Sequence, residues 1–380
     1  MQALKKYLRS VAWFYRINAW FKCWTTKRRY RATLKFYENI SLAGVALPDV
    51  RLDSKANGRR PRVFFLGTDE QQDKSGFLQA LQRIADVESF TREDGAWGQN
   101  DPAPYDERRE RNTRHLWALI SELAGQGRTP DILLAQTSGC FIDPAILGRI
   151  RETYATKIVN ITMDDRHQYW GSKINGAWDG SYSLIPYVDL TLTAAPEAVD
   201  WYLKEGGAAM FFPEASDPEL FRPMPTLAKC YEVCLVGSRY GIREQVVKAL
   251  RAAGIDVITY GSGWENGRID IENVPRLFAQ SKIVLGVSAI GHCPDFVGLK
   301  LRDFDAPMSG SCYLTQDNAD LHPLYDVGCE IVTYQSVQDC VIQAKRLLQD
   351  DDLREAIGRA GRVRAEREHS WDRRFSGLLR

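Results

Sequence analysis

No stretch of this chain reaches the roughly 18 apolar residues that a membrane-spanning helix needs. Its first residues are too charged and aromatic for a secretory leader, which requires a clean apolar core and a small-residue cleavage site. The expectation is a protein of the cytoplasm. Eight cysteines are scattered along 380 residues, with no Cys-x-x-Cys pair and no Cys/His cluster at metal-ligand spacing. His292 and Cys293 are neighbours, but adjacent residues on a turn rarely converge on one ion. Buried thiols in a reducing compartment are expected, and neither a metal nor another cofactor. The chain also lacks a Gly-x-Ser-x-Gly elbow, a Walker A sequence and a Gly-x-Gly-x-x-Gly after its opening strand. These absences argue against an elbow-type hydrolase, a P-loop ATPase and a dinucleotide enzyme respectively.

Another absence is local. Residues 1–37 contain ten lysines and arginines and no acidic residue. Trp13, Ile17, Trp20 and Trp24 fall at helical spacing, with Arg9, Arg16 and Lys22 nearby, a pattern suited to the headgroup region of an anionic membrane. The alternative is an aromatic stripe that packs on its own protein or on a partner. Nucleic acid is not expected: the overall charge is +1 and no second basic cluster extends the footprint.

The hydrophobic fraction of 44% and charged fraction of 26% are those of a globular protein, and the length suggests two domains. Prolines, a glycine and charges over 48–61 read as a linker. Buried strand-like runs then alternate with helical segments: 62–66, 131–135, 157–162 and 188–193, with helices near 75–84, 144–153 and 196–205. A proline-rich segment follows Phe211. The alternation restarts with strands at 231–236, 255–260, 282–287, 311–315 and 329–333 and helices at 242–253, 273–280 and 300–309. Such alternation makes parallel sheets covered by helices. The expected division is an extension over 1–60, a first domain over 61–212, a linker over 213–230, a second domain over 231–355 and a terminal helix over 356–380. The stretch from Val337 to about Glu368 reads as strongly helical.

Three turns carry chemistry. Val236-Gly237-Ser238-Arg239 follows the first strand of the second domain, opens a helix, and is joined by Arg243. Glycine there lets backbone approach a ligand, the helix N-terminus supplies amides, and Arg239 and Arg243 would neutralise a diphosphate. Gly261, in Tyr260-Gly-Ser-Gly-Trp, ends the next strand and offers backbone contacts, while Trp264 reads as packing. In the first domain, Thr162-Met-Asp-Asp-Arg-His lies past a strand's carboxyl end. There Asp164, Asp165 and His167 are candidates for acceptor binding and proton handling, or either aspartate caps the following helix.

The densest segment is 299–316, with Lys300 and Arg302 ahead of Phe304, Asp305, Ala306 and Gly310. It resembles the Arg-x-Phe-Glu-Ala-x-x-x-Gly signature of group 1 glycosyltransferases, especially the CgeB-like (spore-maturation-like) branch. His369-Ser-Trp-Asp resembles that family's terminal motif, in which the last helix crosses back to the first domain. The resemblance implies a GT-B fold, two Rossmann-like α/β domains facing across a cleft, here with a basic aromatic helical extension. It implies a hexosyltransferase-like enzyme that moves a sugar from a nucleotide-sugar donor to a glycan, polysaccharide or lipid-linked acceptor, without a metal and with retention. Asp305 would accept hydrogen bonds from ribose hydroxyls, Arg302 belongs to the donor motif, and the Gly298 amide and Lys300 would meet the phosphates. Two departures stand out: Asp305 replaces glutamate, and Val297 stands where the family has a second glutamate. The second keeps open a non-catalytic GT-B protein that binds nucleotide-sugar or glycan; a GT-B epimerase or phosphorylase is a further alternative.

Overall fold

The computed structural model describes residues 12–41 and 59–378. The chain divides into two compact units. One comprises Phe36–Asp217 and the chain from His369 onward; the other comprises Pro218–Glu368 with the helix up to Lys35. Residues 356–368 therefore stay with the second unit inside the helix Asp351–Glu368, and the return comes at His369, later than position 356. The N-terminal residues before position 12, with Arg9, lie outside the described residues, as do the side chains of Trp13 and Arg16.

The first unit holds strands β1 (Arg62–Leu66), β2 (Asp86–Ser89), β3 (Ile132–Ala135), β4 (Lys157–Thr162), a small antiparallel hairpin of β5 (Lys173–Ile174) and β6 (Ala177–Trp178), then β7 (Leu190–Thr193) and β8 (Ala209–Phe211). Its main sheet has the order β2-β1-β3-β4-β7-β8, with parallel pairing throughout. The apolar runs that mark β1, β3 and β4 are covered on both faces, so Phe64, Leu133 and Ile158 meet Leu116, Ile120, Ile146 and Ile150 of the helices. Trp371 is buried at 2% exposure, with its ring 4.9 Å from Phe77. Arg83 joins Asp217 and Asp372 at 3.0 and 2.8 Å.

The second unit holds β9 (Tyr231–Val236), β10 (Val257–Tyr260), β11 (Ser281–Leu285), β12 (Cys312–Gln316) and β13 (Val332–Tyr334). The order is β10-β9-β11-β12-β13, again parallel. Val233, Leu235, Ile283 and Leu314 form its core with Val246, Leu250 and Leu347. The strand expected over 329–333 starts later, because Cys329 and Glu330 bond back to Asp326 in a turn. The helix expected over 337–368 is two helices. Asp350 takes extended angles, and its side chain accepts from the amide of Leu353, capping the second.

Candidate functional site

In the second unit, the turns after β9 and β10 press together backbone to backbone. Gly261 has φ +133°, and a Cβ there would lie 2.4 Å from the carbonyl of Gly237. Gly261 thus serves close approach of two turns, and its own amide is spent on Gly267. Trp264 is buried and donates to the Gly237 carbonyl at 2.8 Å, which makes it packing. Gly237, at φ +144°, lets two guanidinium groups approach the turn closely. A Cβ on it would stand 2.9 Å from Arg302 Nη1 and 3.0 Å from Arg243 Nη1.

Arg243 is 5% exposed. It donates to the Ser238 carbonyl at 2.9 Å and lies over the Tyr240 ring, while its Nε and that of Arg302 are buried without a hydrogen-bond partner. Burial, and then the charge of Arg302, pull the Arg243 guanidinium down to about 10. Two cations held this close suit a ligand carrying two negative charges. Arg239 is not part of this pair: it is salt-bridged to Glu244 at 2.6 Å and lies over Trp264. Ser238 is exposed at the tip of the same turn.

Arg302 opens the helix Arg302–Met308. Asp303, which sequence reasoning passed over, fixes that helix: fully buried, it accepts from the Lys300 amide at 2.7 Å and the Tyr313 hydroxyl at 2.6 Å. Burial pushes its carboxyl above the usual range. An aspartate three residues past an amide at a helix start was the available signal. Asp305 is 5% exposed on the same helix. The Gly298 amide is committed to the Ser288 carbonyl, so it is not offered to a phosphate. Val297 pairs with Ala289 in an isolated bridge.

The first unit has a cavity of about 370 Å³ at the carboxyl ends of β1, β3 and β4, lined in part by Thr68, Gln136, Thr137, Asp164 and Ser181. Asp164 is exposed, with no side-chain cap bond to the helix that follows. His167 Nε2 stands 3.8 Å from its Oδ1. Asp165 points the other way. At 2% exposure it accepts from Thr162, Ser181, Thr193 and Tyr202 at 2.9, 2.6, 2.6 and 2.9 Å. Burial raises its carboxyl against the pull of those four hydroxyls. Asp165 ties β4, β7 and a later helix together; proton transfer from a bound hydroxyl is not open to it.

Behind the cavity, Gln99 is fully buried and donates to the carbonyls of Leu66, Gly67 and Gln136. Asp73, also fully buried, accepts from the Thr68 amide at 2.9 Å and the Trp97 indole at 2.8 Å. Burial pushes it up from 3.8 to about 6. A raised folded-state pKa gives stability that is present at low pH and lost as pH rises through that window. Stability should therefore fall by about 2 kcal/mol between pH 4 and 6 from this group. Chemical denaturation across that range checks it: Asp73→Asn should flatten the slope, and an unchanged slope would contradict the assignment.

Residues 242–380 match a family described as Glycosyl transferase-like. No curated protein matches the sequence. In fold the chain is similar to sucrose-phosphate synthase from Thermosynechococcus elongatus, with TM-score 0.60 and 12% identity over 83% of this chain and 96% of that one. It is similar to Anabaena HepE in complex with UDP and glucose, at TM-score 0.56 and 12% identity over 84% and 98%. It is also similar to the catalytic domain of starch synthase IV from Arabidopsis thaliana bound to ADP and acarbose, at 0.58 and 11% over 82% and 96%. The chain has the GT-B fold of these glycosyltransferases, with two Rossmann-like units, and its C-terminal part is similar in sequence to a glycosyl transferase-like family.

Proposed function

We propose that this protein transfers a hexosyl group from a nucleotide-sugar to an acceptor hydroxyl. The observation that carries this is the pair Arg243 and Arg302, whose guanidinium groups both close on the Gly237 turn with their Nε atoms unpartnered. As the sugar leaves, negative charge grows on the nucleoside diphosphate, and two fixed guanidinium groups stabilise that charge more than the ground state. They supply the positive charge a metal would otherwise bring, so we infer metal-independent transfer. Asp305 is assigned to the ribose hydroxyls and Lys300 to the phosphates by the resemblance of residues 299–310, which also supports the CgeB-like branch and retention. In the first unit, Asp164 with His167 takes the acceptor's proton. The test is a thermal-shift panel of UDP, GDP, ADP, CMP and dTDP. A ligand at a hundred times its Kd adds about 2.7 kcal/mol, so one nucleoside diphosphate should raise Tm by several degrees; a flat panel would sink the proposal.

Val297 favours a second reading, a nucleotide-sugar-binding protein without turnover. Binding in the panel together with no nucleotide release from any nucleotide-sugar, whatever the acceptor, would select it. Anomer analysis by NMR reads retention directly.

We further infer peripheral attachment to an anionic membrane, which puts the protein at the inner, cytoplasmic face. Helix Ala12–Glu38 packs Cys23 and Tyr30 beside Cys293 and Phe296 and pairs Lys27 with Asp295. On an adjoining face, Ile17, Trp20, Phe21 and Trp24 are 44–67% exposed at i, i+3, i+4 and i+7, and Arg28 lies over Trp24. Indoles flanked by cations suit the interface of anionic lipid. No helix among the described residues is long and apolar enough to cross a membrane. Flotation with vesicles of phosphatidylcholine and phosphatidylglycerol should recover the protein, and Trp20→Glu with Trp24→Glu should lose it. Equal recovery of wild type and variant would refute the attachment.

A further inference from the structure

The cavity of the first unit has a chemical character that the proposed transfer does not by itself require. Its walls offer amides and hydroxyls, among them Gln72, Asn100, Gln136, Thr137 and Ser138, with the ring of Phe141 beside them. Its charged side chains are Asp164 and Asp179, and none of the lining residues is a lysine, arginine or histidine. Asp179 is 9% exposed and bonded to the Ser172 amide, so its negative charge is fixed in the wall. Arg108 is nearby but lies behind the lining, donating to the Cys140 carbonyl at 3.0 Å and resting over the Phe141 ring.

The walls are also held rigidly. Gln99 locks the ends of β1 and β3 and accepts from the Thr137 hydroxyl at 2.6 Å. Asn160 accepts from the Thr137 amide at 3.1 Å, and Asn112 donates to the carbonyls of Gln99 and Phe141 at 3.1 Å each. A volume of about 370 Å³ falls in the lower part of the range of small-ligand pockets, roughly 300–1,000 Å³. Donors and acceptors in preset positions, an aromatic ring and a lining whose charged side chains are all carboxylates select a ligand rich in hydroxyls and free of negative charge.

We propose that this cavity binds the acceptor as a neutral sugar residue, and that Asp164 and Asp179 reject phosphorylated or uronic acid residues. The inference rests on the transferase reading and names its acceptor class. A carboxylate on the ligand would meet a like charge at Asp164, which a neutral His167 imidazole at 3.8 Å would not offset and no lysine or arginine of the lining does, a penalty of about tenfold in affinity.

The test is saturation-transfer NMR on the full chain, with methyl glucoside, maltotriose and chitotriose set against glucuronate, trigalacturonate and glucose 6-phosphate. Neutral saccharides should bind about tenfold more tightly than their charged counterparts. Asp164→Lys should reverse that order; because Asp164 is exposed and caps nothing, the variant should fold. Charged sugars binding as well as neutral ones, no neutral sugar binding, or an order unchanged in Asp164→Lys would each overturn the proposal. Nucleotide binding, followed by thermal shift with the same panel in the same samples, is independent of this order. If one nucleoside diphosphate binds and the sugar order fails, the acceptor class is wrong; if none binds, the transferase reading itself is wrong.

Discussion

Replacing Arg302 with methionine should weaken nucleotide binding about a hundredfold while leaving the free protein as stable as before, or slightly more so. A buried cation normally stabilises a fold through a counter-charge, and its removal leaves the partner stranded. Arg302 and Arg243 reverse that relation: burial, and then the charge of Arg302, pulls the Arg243 guanidinium down to about 10. Removing one relieves repulsion in the free protein and strips charge-assisted bonds from a bound diphosphate. Such bonds contribute about 1.5–3 kcal/mol each, so the loss should be on the order of a hundredfold in Kd. Arg243→Met should behave alike, with a smaller gain in free stability because Arg243 also holds the Ser238 carbonyl. Arg239→Ala provides the contrast. Its guanidinium is engaged by Glu244, so binding should change by no more than about twofold. Titration calorimetry with the best nucleotide of the panel and thermal unfolding of the free variants decide the matter. If Arg239→Ala loses binding while Arg302→Met keeps it, the phosphate site is misassigned.

The neighbours Asp164 and Asp165 should separate as cleanly as two adjacent carboxylates can. Asp165→Ala strands four hydroxyls around a vacated buried position, and should cost about 3–5 kcal/mol of stability. Whatever activity it loses should track unfolding and return when the assay is cooled. Asp164→Asn keeps the fold, since the side chain is exposed and caps nothing, yet it should lower kcat by about a hundredfold or more if that carboxylate takes the acceptor's proton. Equilibrium denaturation beside steady-state kinetics separates the two. A stable but inactive Asp165→Ala would return proton transfer to Asp165.

Why the sequence distinguishes some of these residues and not others is a matter of range. The buried runs of β1, β3, β9 and β11 are local signals, and so are the glycine turns after β9 and β10. Strand β2 was missed because it alternates exposed and half-buried positions and carries two acidic residues. The helix Tyr105–Gly125 was missed for a similar reason: few of its side chains, Leu116 and Ile120 among them, reach the core. At the site, spacing placed Asp164 and Asp165 together past β4 but could not orient them. Asp165's partners lie at positions 162, 181, 193 and 202, and nothing in the adjacent sequence reveals that convergence. Proximity in sequence points Arg239 at the phosphate turn, and Glu244 claims it instead. Arg302 entered through a family resemblance; what brings it to Gly237 is the anchoring of its helix by Asp303 and Tyr313.

The first unit is assembled from two separated pieces of chain, and this has a consequence during synthesis. Trp371 and Phe375 pack on Phe77, and Asp372 completes the ion pairs of Arg83, but residues 218–368 intervene. A ribosome adding about 5–20 residues per second needs roughly 8 to 30 s to cross that interval. Throughout it, a six-stranded sheet stands with the bed for Trp371 uncovered, while the second unit can fold without waiting. Nascent chains halted just after Glu368 should therefore be the ones that chaperones hold longest.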